Sequence, residues 1–296
     1  MDLLQGIAEQ LEQEAKDGKY TEGQKESEKK ASADKIKAVA TTETSKAGSK
    51  IAETRTTPAN KQDQSIKLNF TVGKDDGHDI TYDLGRPGSH QIMLIGQNNY
   101  GKTDFTKTIL ANLISQNMTS ELQLIIFNPT NHYVMFESLP CMLKPVITKP
   151  DEIKSALEWA MEELENRYSK FTSSKVSDID EYNEQHKKDK LPHILVVIDD
   201  LEWVMEHDKQ SESLIVKILQ KSKLVGINLI ILSSKASASE LSGTFRANLP
   251  TIFTFNSPDN VIMSTYYYQW PKQVKTTVMD DKELSRICNS LAKKKA

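Results

Sequence analysis

The chain has 296 residues, 38% of them hydrophobic, and a formal net charge of -3 at pH 7. A balance this near neutrality removes the global basic field that nucleic-acid binders carry and leaves only a local basic patch open. The two cysteines, Cys141 and Cys288, sit far apart in unrelated contexts. Neither a disulfide framework nor a cysteine metal site is therefore expected, and a reducing, cytoplasmic setting is implied.

No apolar run approaches the roughly 20 residues that a membrane span needs. The opening MDLLQGIAEQLEQEAKDGKY is acidic rather than basic then apolar, so no signal peptide is expected. Attachment to a membrane is expected only through a parent protein.

Residues 1–64 contain a single aromatic, Tyr20, and are rich in Lys, Glu, Ala, Ser and Thr. Such a segment buries too little apolar surface to offset its ordering entropy and reads as a disordered or helical linker. Within it Leu4, Ile7 and Leu11 recur at helical spacing, which predicts a short amphipathic helix between Asp2 and Lys16. That helix either docks on a neighbouring domain or forms only transiently in a tail.

From residue 65 to 296 the pattern is that of one folded domain. Ile66–Val72 alternates like a half-buried strand and Asp79–Leu84 repeats the signal. Gln91–Ile95 is a continuous apolar strand, followed by a helix over 102–117 with Phe105, Ile109, Leu110 and Leu113 on one side. Leu122–Asn128 is the next buried strand. A long helix begins just after Pro150, and His193–Asp199 is a third buried strand. A helix over 212–225 closes at Gly226, and Ile227–Ser234 and Pro250–Asn256 are the last two strands. Buried strands alternating with helices predict an α/β fold, a mainly parallel sheet covered on both faces.

Between the third strand and its helix stands LIGQNNYGKTDF, with the spacing Gly96-x4-Gly101-Lys102-Thr103. Strand, glycine-bounded loop and helix together predict a phosphate loop. Backbone N–H groups of Gly96, Gln97, Asn98, Asn99, Tyr100 and Gly101 would cradle phosphate oxygens at a helix N-terminus. Lys102 would reach the terminal phosphates and Thr103 would offer its hydroxyl to Mg²⁺. The bulk of Tyr100 is expected beside the phosphates. The bland alternative is a turn that only caps a helix.

The second motif, HILVVIDDLEWVM, runs a buried strand into Asp199 and Asp200. Asp199 suits Mg²⁺ held through water, as the metal partner of Thr103. Asp200 is the candidate catalytic carboxylate that orients an attacking water, but it is one methylene shorter than the glutamate that role usually has. Its alternative role is N-cap of the following LEWVMEH helix.

These two motifs, with the segments Leu122–Phe171, DIDEYNE and Val225–Ser257 in the same order and spacing, resemble the FtsK/SpoIIIE-type ATPase domains. That resemblance covers roughly residues 91–257 and implies a RecA-like P-loop NTPase fold binding ATP and Mg²⁺. The loop variants and the preceding linker most resemble the C-terminal ATPase domain of the EssC/EccC coupling proteins of type VII secretion. The departures are specific. Asn99-Tyr100 stands where the family has Gly-Ser, and Asn128 where it has Asp. Asp200 replaces the catalytic Glu, and Ser233-Ser234-Lys235 replaces the Ala-Thr-Gln whose Gln senses nucleotide. The Gly-x-Gly-Asp segment after the last strand is missing. Together these imply a weakened nucleotide site with slow or absent hydrolysis.

Other residues carry weaker signals. Arg167 is either a trans-acting arginine or a surface helix arginine paired with Glu163. Arg246 is a phosphate or carboxylate ligand, or a loop salt bridge. The aromatics of Ser264–Trp270 form a docking surface or a closing core segment. Leu291–Ala296 is expected to be a solvated tail. The six histidines show no ligand spacing.

The resemblance implies a module that recognises small helical secreted substrates next to other ATPase domains of the same coupling protein, at the cytoplasmic face of the membrane. The competing readings are a catalytically active motor subunit and a DNA translocase. DNA is disfavoured by the charge and by the absence of an evident DNA-reading module.

Overall fold

The computed structural model describes residues 66–86, 89–208, 210–235, 243–265 and 271–293. The expected linker and amphipathic helix of residues 1–64, and the aromatic run 266–270, lie outside the described residues.

Among the described residues nine strands form one sheet. They are β1 (Asn69–Asp75), β2 (His78–Asp83), β3 (Gln91–Ile95), β4 (Leu122–Phe127), β5 (His193–Ile198), β6 (Ile227–Ser233), β7 (Thr251–Ser257), β8 (Asn260–Thr265) and β9 (Lys272–Thr276). Their order across the sheet is β2-β1-β9-β8-β7-β3-β6-β5-β4. The stretch β7-β3-β6-β5-β4 is parallel throughout. The strands β8, β9, β1 and β2 extend it antiparallel. The five apolar runs read from sequence thus form a parallel half. The antiparallel half includes β8 and β9, whose mixed polarity gave no strand signal.

The β1–β2 turn is Asp76-Gly77, at φ 47° and 81°. Both residues left-handed make the tight two-residue turn that suits the twist of a hairpin.

Seven helices complete the described chain: α1 (Lys102–Gln116), α2 (Pro150–Ser174), α3 (Ile179–Gln185), α4 (Leu201–His207), α5 (Ser211–Lys221), α6 (Gly243–Ala247) and α7 (Asp281–Lys293). The alternating side chains of the parallel strands split the core in two. Ile92, Leu94, Leu195, Val197 and Phe253 pack with α1 and with Cys288 of α7. Met93, Ile95, Val196, Ile198 and Ile231 pack with α2, α4 and α5. Covering helices on both faces explain why these strands read as unbroken apolar runs rather than as alternating ones.

The C-terminal expectation needs correction. Leu291–Lys293 is the last turn of α7, not a solvated tail, and Leu291 packs against the core through the i, i+4, i+7 series Leu284, Cys288 and Leu291.

Candidate phosphate-loop site

Parallel pairing puts the C-terminal ends of β3, β5 and β6 on one edge of the sheet, where α/β folds place their ligands. β3 carries Gly96 and the loop, β5 carries Asp199, and β6, between them, ends at Ser233. A cleft of about 960 Å³ opens there, lined among others by Asn98, Asn99, Lys102, Thr103, Asp199 and Ser233.

The loop conformation depends on its glycines. Gly96 has φ 148°, and a Cβ there would lie 2.7 Å from the Phe255 carbonyl oxygen of β7. Gly101 has φ 79°, and its Cβ would lie 2.7 Å from the Pro258 carbonyl oxygen. Asn99 takes the third left-handed position, φ 65°, where asparagine is tolerated best after glycine. The Asn99 substitution therefore preserves the fold of the loop. The Tyr100 side chain packs against the apolar cluster over α1, while its neighbours Asn99 and Gly101 line the cleft.

Lys102, 8% exposed, donates to the carbonyl oxygens of Gly96 and of Gln97, the latter at 2.9 Å. Burial holds its ammonium below the usual lysine pKa, opposed by the carboxylates of Asp199, Glu202 and Asp200. The charge thus sits at the mouth of α1, whose first turn presents unpaired N–H groups.

Thr103 donates its hydroxyl to Asp199 Oδ2 at 3.1 Å. The hydroxyl oxygen keeps its lone pairs, so one small cation can lie beside Thr103 while Asp199 holds the proton side. Asp199 is 8% exposed, and its pKa is raised by burial, partly offset by Tyr133 and Thr103. Among the described residues no three His, Cys, Asp or Glu side chains gather as a metal site. A hydroxyl and one carboxylate fit Mg²⁺, which is usually held by one or two protein oxygens plus substrate phosphates. The donor set therefore fits a nucleotide with Mg²⁺; the bound cation would neutralise phosphate charge between Thr103 and Asp199.

Asp200 borders the cleft and also caps a helix. It lies at φ 82° as N-cap of α4, and its Oδ1 accepts from Trp203 N at 2.9 Å. At the end of β6, Ser233 and Ser234 are tied to Glu202 of α4: the Ser233 hydroxyl donates to Oε1 and the Ser234 N–H to Oε2, at 3.1 Å for the latter. Nothing in the sequence singled out Glu202, because a glutamate on an amphipathic helix looks like a solvated one.

Arg167 makes the expected pair with Glu163, but not at the surface. It pairs with Glu163 at 2.7 Å, but it is only 1% exposed and also donates to the Val225 carbonyl at 2.8 Å. It is a core strut between α2 and the segment before β6, not a surface arginine, and it does not face the cleft. Arg246 is exposed on α6, away from the cleft, and makes no ion pair among the described residues.

Asn128, which replaces an aspartate of the resembled family, has a visible purpose. Its Oδ1 accepts from His132 N at 2.8 Å and its Nδ2 donates to Thr130 Oγ1 at 3.1 Å. A carboxylate could not make the second bond as a donor.

A loop strand separated from a carboxylate strand by one intervening strand, with Lys-Thr closing the loop, defines a P-loop NTPase domain. Residues 52–238 match the FtsK/SpoIIIE family, and the chain belongs to it. The DNA translocase FtsK of Mycobacterium leprae (strain TN) is 27% identical over 222 residues, 70% of this chain and 26% of that protein. The chain spans about a quarter of the length of the curated relatives it matches. EssC (ATPases 2 and 3) from Geobacillus thermodenitrificans superposes with a TM-score of 0.68 at 20% identity, covering 77% of this chain and 49% of that one. Thermomonospora curvata EccC (ATPases 2 and 3), solved in complex with a signal sequence peptide, gives 0.65 at 16% identity, covering 79% and 49%. Among the described residues no helix is long and apolar enough to cross a membrane.

Proposed function

We propose that this chain is the C-terminal ATPase-like domain of a type VII secretion coupling protein. It binds ATP·Mg²⁺ at a weakened site, hydrolyses it slowly or not at all, and serves in substrate recognition or regulation of protein export. The observation that carries the reading is the diversion of Asp200 to the cap of α4. Oδ1 of the carboxylate next to Asp199 is fixed on the Trp203 N–H, so the orientation of this side chain at the cleft wall is set by the helix start, and it is one methylene shorter than a glutamate. Phosphoryl transfer depends on positioning and electrostatics, and an error of about 1 Å in a catalytic group can cost on the order of a hundredfold.

The rest of the machinery is retained. Lys102 and the α1 N-terminus hold phosphate, and Thr103 with Asp199 holds the cation. Pro258 and Val278 line the same cleft and would face the nucleoside. Neighbouring ATPase domains of the same parent protein and small helical secreted proteins are the partners, and the parent brings the domain to the cytoplasmic face of the membrane. The EccC neighbour with its signal sequence peptide supports this choice.

The second reading is a DNA-translocating motor subunit, favoured by the sequence relatives, which are DNA translocases. Two measurements on the full chain separate the readings: phosphate release from ATP·Mg²⁺, and affinity for duplex DNA across a salt series. Little or no phosphate release, with no salt-steep DNA affinity, supports the export reading. Rapid release, or DNA affinity falling steeply with salt, supports the motor.

A further inference from the structure

The turn after β4 puts two polar side chains into the cleft wall: Thr130 and His132 line it together with Lys102, Thr103 and Asp199. The turn begins at Asn128, one residue beyond β4 and 1% exposed. The Asn128 N–H is held on Ile147 O and the Asp199 N–H on Phe127 O, both at 2.9 Å. The turn therefore starts beside the carboxylate that suits the cation. Asn131, at φ 58°, bends the chain back, and the His132 N–H reaches the Asn128 side chain at 2.8 Å.

Three hydrogen bonds fix where the protons lie. A backbone N–H can only donate, so the Asn128 atom facing it is the acceptor Oδ1. Nδ2 then faces Thr130 Oγ1, 3.1 Å away, and donates to it. That oxygen also lies 2.9 Å from His132 Nδ1. A second donor at Oγ1 would leave the Thr130 proton without an acceptor among the described residues. The hydroxyl proton is therefore directed to Nδ1, and the neutral ring carries its own proton on Nε2. Nε2 makes no hydrogen bond among the described residues.

We propose that His132 is a nucleotide-binding residue, its ring set by Asn128 and Thr130 so that Nε2–H donates to a terminal phosphate oxygen of ATP. This rests on the proposed nucleotide site. The cation bridges the terminal phosphates of a bound nucleotide, so a donor on the turn beside Asp199 meets those oxygens. The contact favours a triphosphate over a diphosphate. A ring with its proton on Nε2 offers the cleft a donor and no lone pair, so it holds phosphate without acting as a base on water.

Asn128→Asp is the deciding variant. A carboxylate only accepts, so Thr130 turns its proton to Asp, takes the ring proton from Nδ1, and leaves an Nε2 lone pair facing the phosphates. Nitrogen NMR of the histidine rings, on the full chain without nucleotide at about pH 8, reads the tautomer, with His132→Phe identifying the signal. The expected result is Nε2–H in wild type and Nδ1–H in Asn128→Asp. Nδ1–H in wild type, or one tautomer in both, overturns the proposal. Titrations of ATP and ADP with excess Mg²⁺ test the contact itself. The preference for ATP over ADP should fall about tenfold in His132→Phe, the effect of one hydrogen bond to a charged oxygen, and at least as far in Asn128→Asp. Equal losses of both nucleotides, or no loss, overturn the phosphate contact while the nucleotide site stands. No binding of either nucleotide by wild type overturns the nucleotide reading and the contact together.

Discussion

The carboxylate of Asp200 accepts the backbone N–H of Trp203 at 2.9 Å, three residues further along. Asp200 therefore starts helix α4 through one oxygen while it borders the cleft. Asp200→Ala removes an N-cap and should lower stability by about 1 kcal/mol. ATP·Mg²⁺ affinity should be unchanged. Melting curves and titration of the variant beside wild type check both halves.

Gly96 lies at φ 148° with the Phe255 carbonyl oxygen 2.7 Å from the position of an added Cβ. Gly96→Ala therefore meets backbone, which cannot swing aside, and should cost roughly 1–3 kcal/mol and deform the loop. Urea unfolding gives the stability change. Gly77→Ala is the control, since its Cβ has open space around it, at φ 81°; it keeps the left-handed strain without the clash and should cost less.

Arg167 and Glu163 form a pair in which the arginine side chain is 2% exposed. Burial holds the guanidinium below its usual pKa, against the support of Glu163. Glu163→Ala strands a buried charge and should destabilise by about 3 kcal/mol. Replacing both partners, Glu163→Leu with Arg167→Met, should cost less than Glu163→Ala alone. Chemical denaturation of the three proteins measures the difference.

His193 is buried at the start of β5, and burial lowers its pKa to about 4, with the charges of Arg167 and His90 adding and Asn228 opposing. The folded value lies below the ordinary histidine value of 6.5. Between pH 6.5 and 4 the unfolded chain binds the proton and the folded chain does not, so stability falls as pH falls through that window. The loss by pH 4 is roughly 3 kcal/mol. Urea midpoints for wild type and His193→Asn at pH 7 and pH 5 test this: wild type should lose more on acidification than the variant.

The parallel half of the fold was legible because strands buried on both faces are apolar without interruption, as in Gln91–Ile95 and His193–Ile198. The strands β8 and β9 were not, since one face of Lys272–Thr276 is exposed and carries Gln273 and Lys275. α7 was hidden in a charged tail, where Leu284, Cys288 and Leu291 alone mark the buried face. In the site, spacing located Gly96, Lys102, Thr103 and Asp199, because chemistry fixes those residue types. Spacing could not locate Glu202, which reaches the end of β6 from α4 through tertiary packing. It also left unseen that Tyr100 packs against the apolar cluster over α1.

The central claim is a phosphate loop that still binds nucleotide through Lys102. Isothermal titration of ATP·Mg²⁺ into the full chain, wild type beside Lys102→Ala, tests it most directly. The account predicts saturable wild-type binding, weak but measurable, that disappears in Lys102→Ala while the melting temperature changes little. No heat with wild type, or equal binding by both proteins, would contradict it.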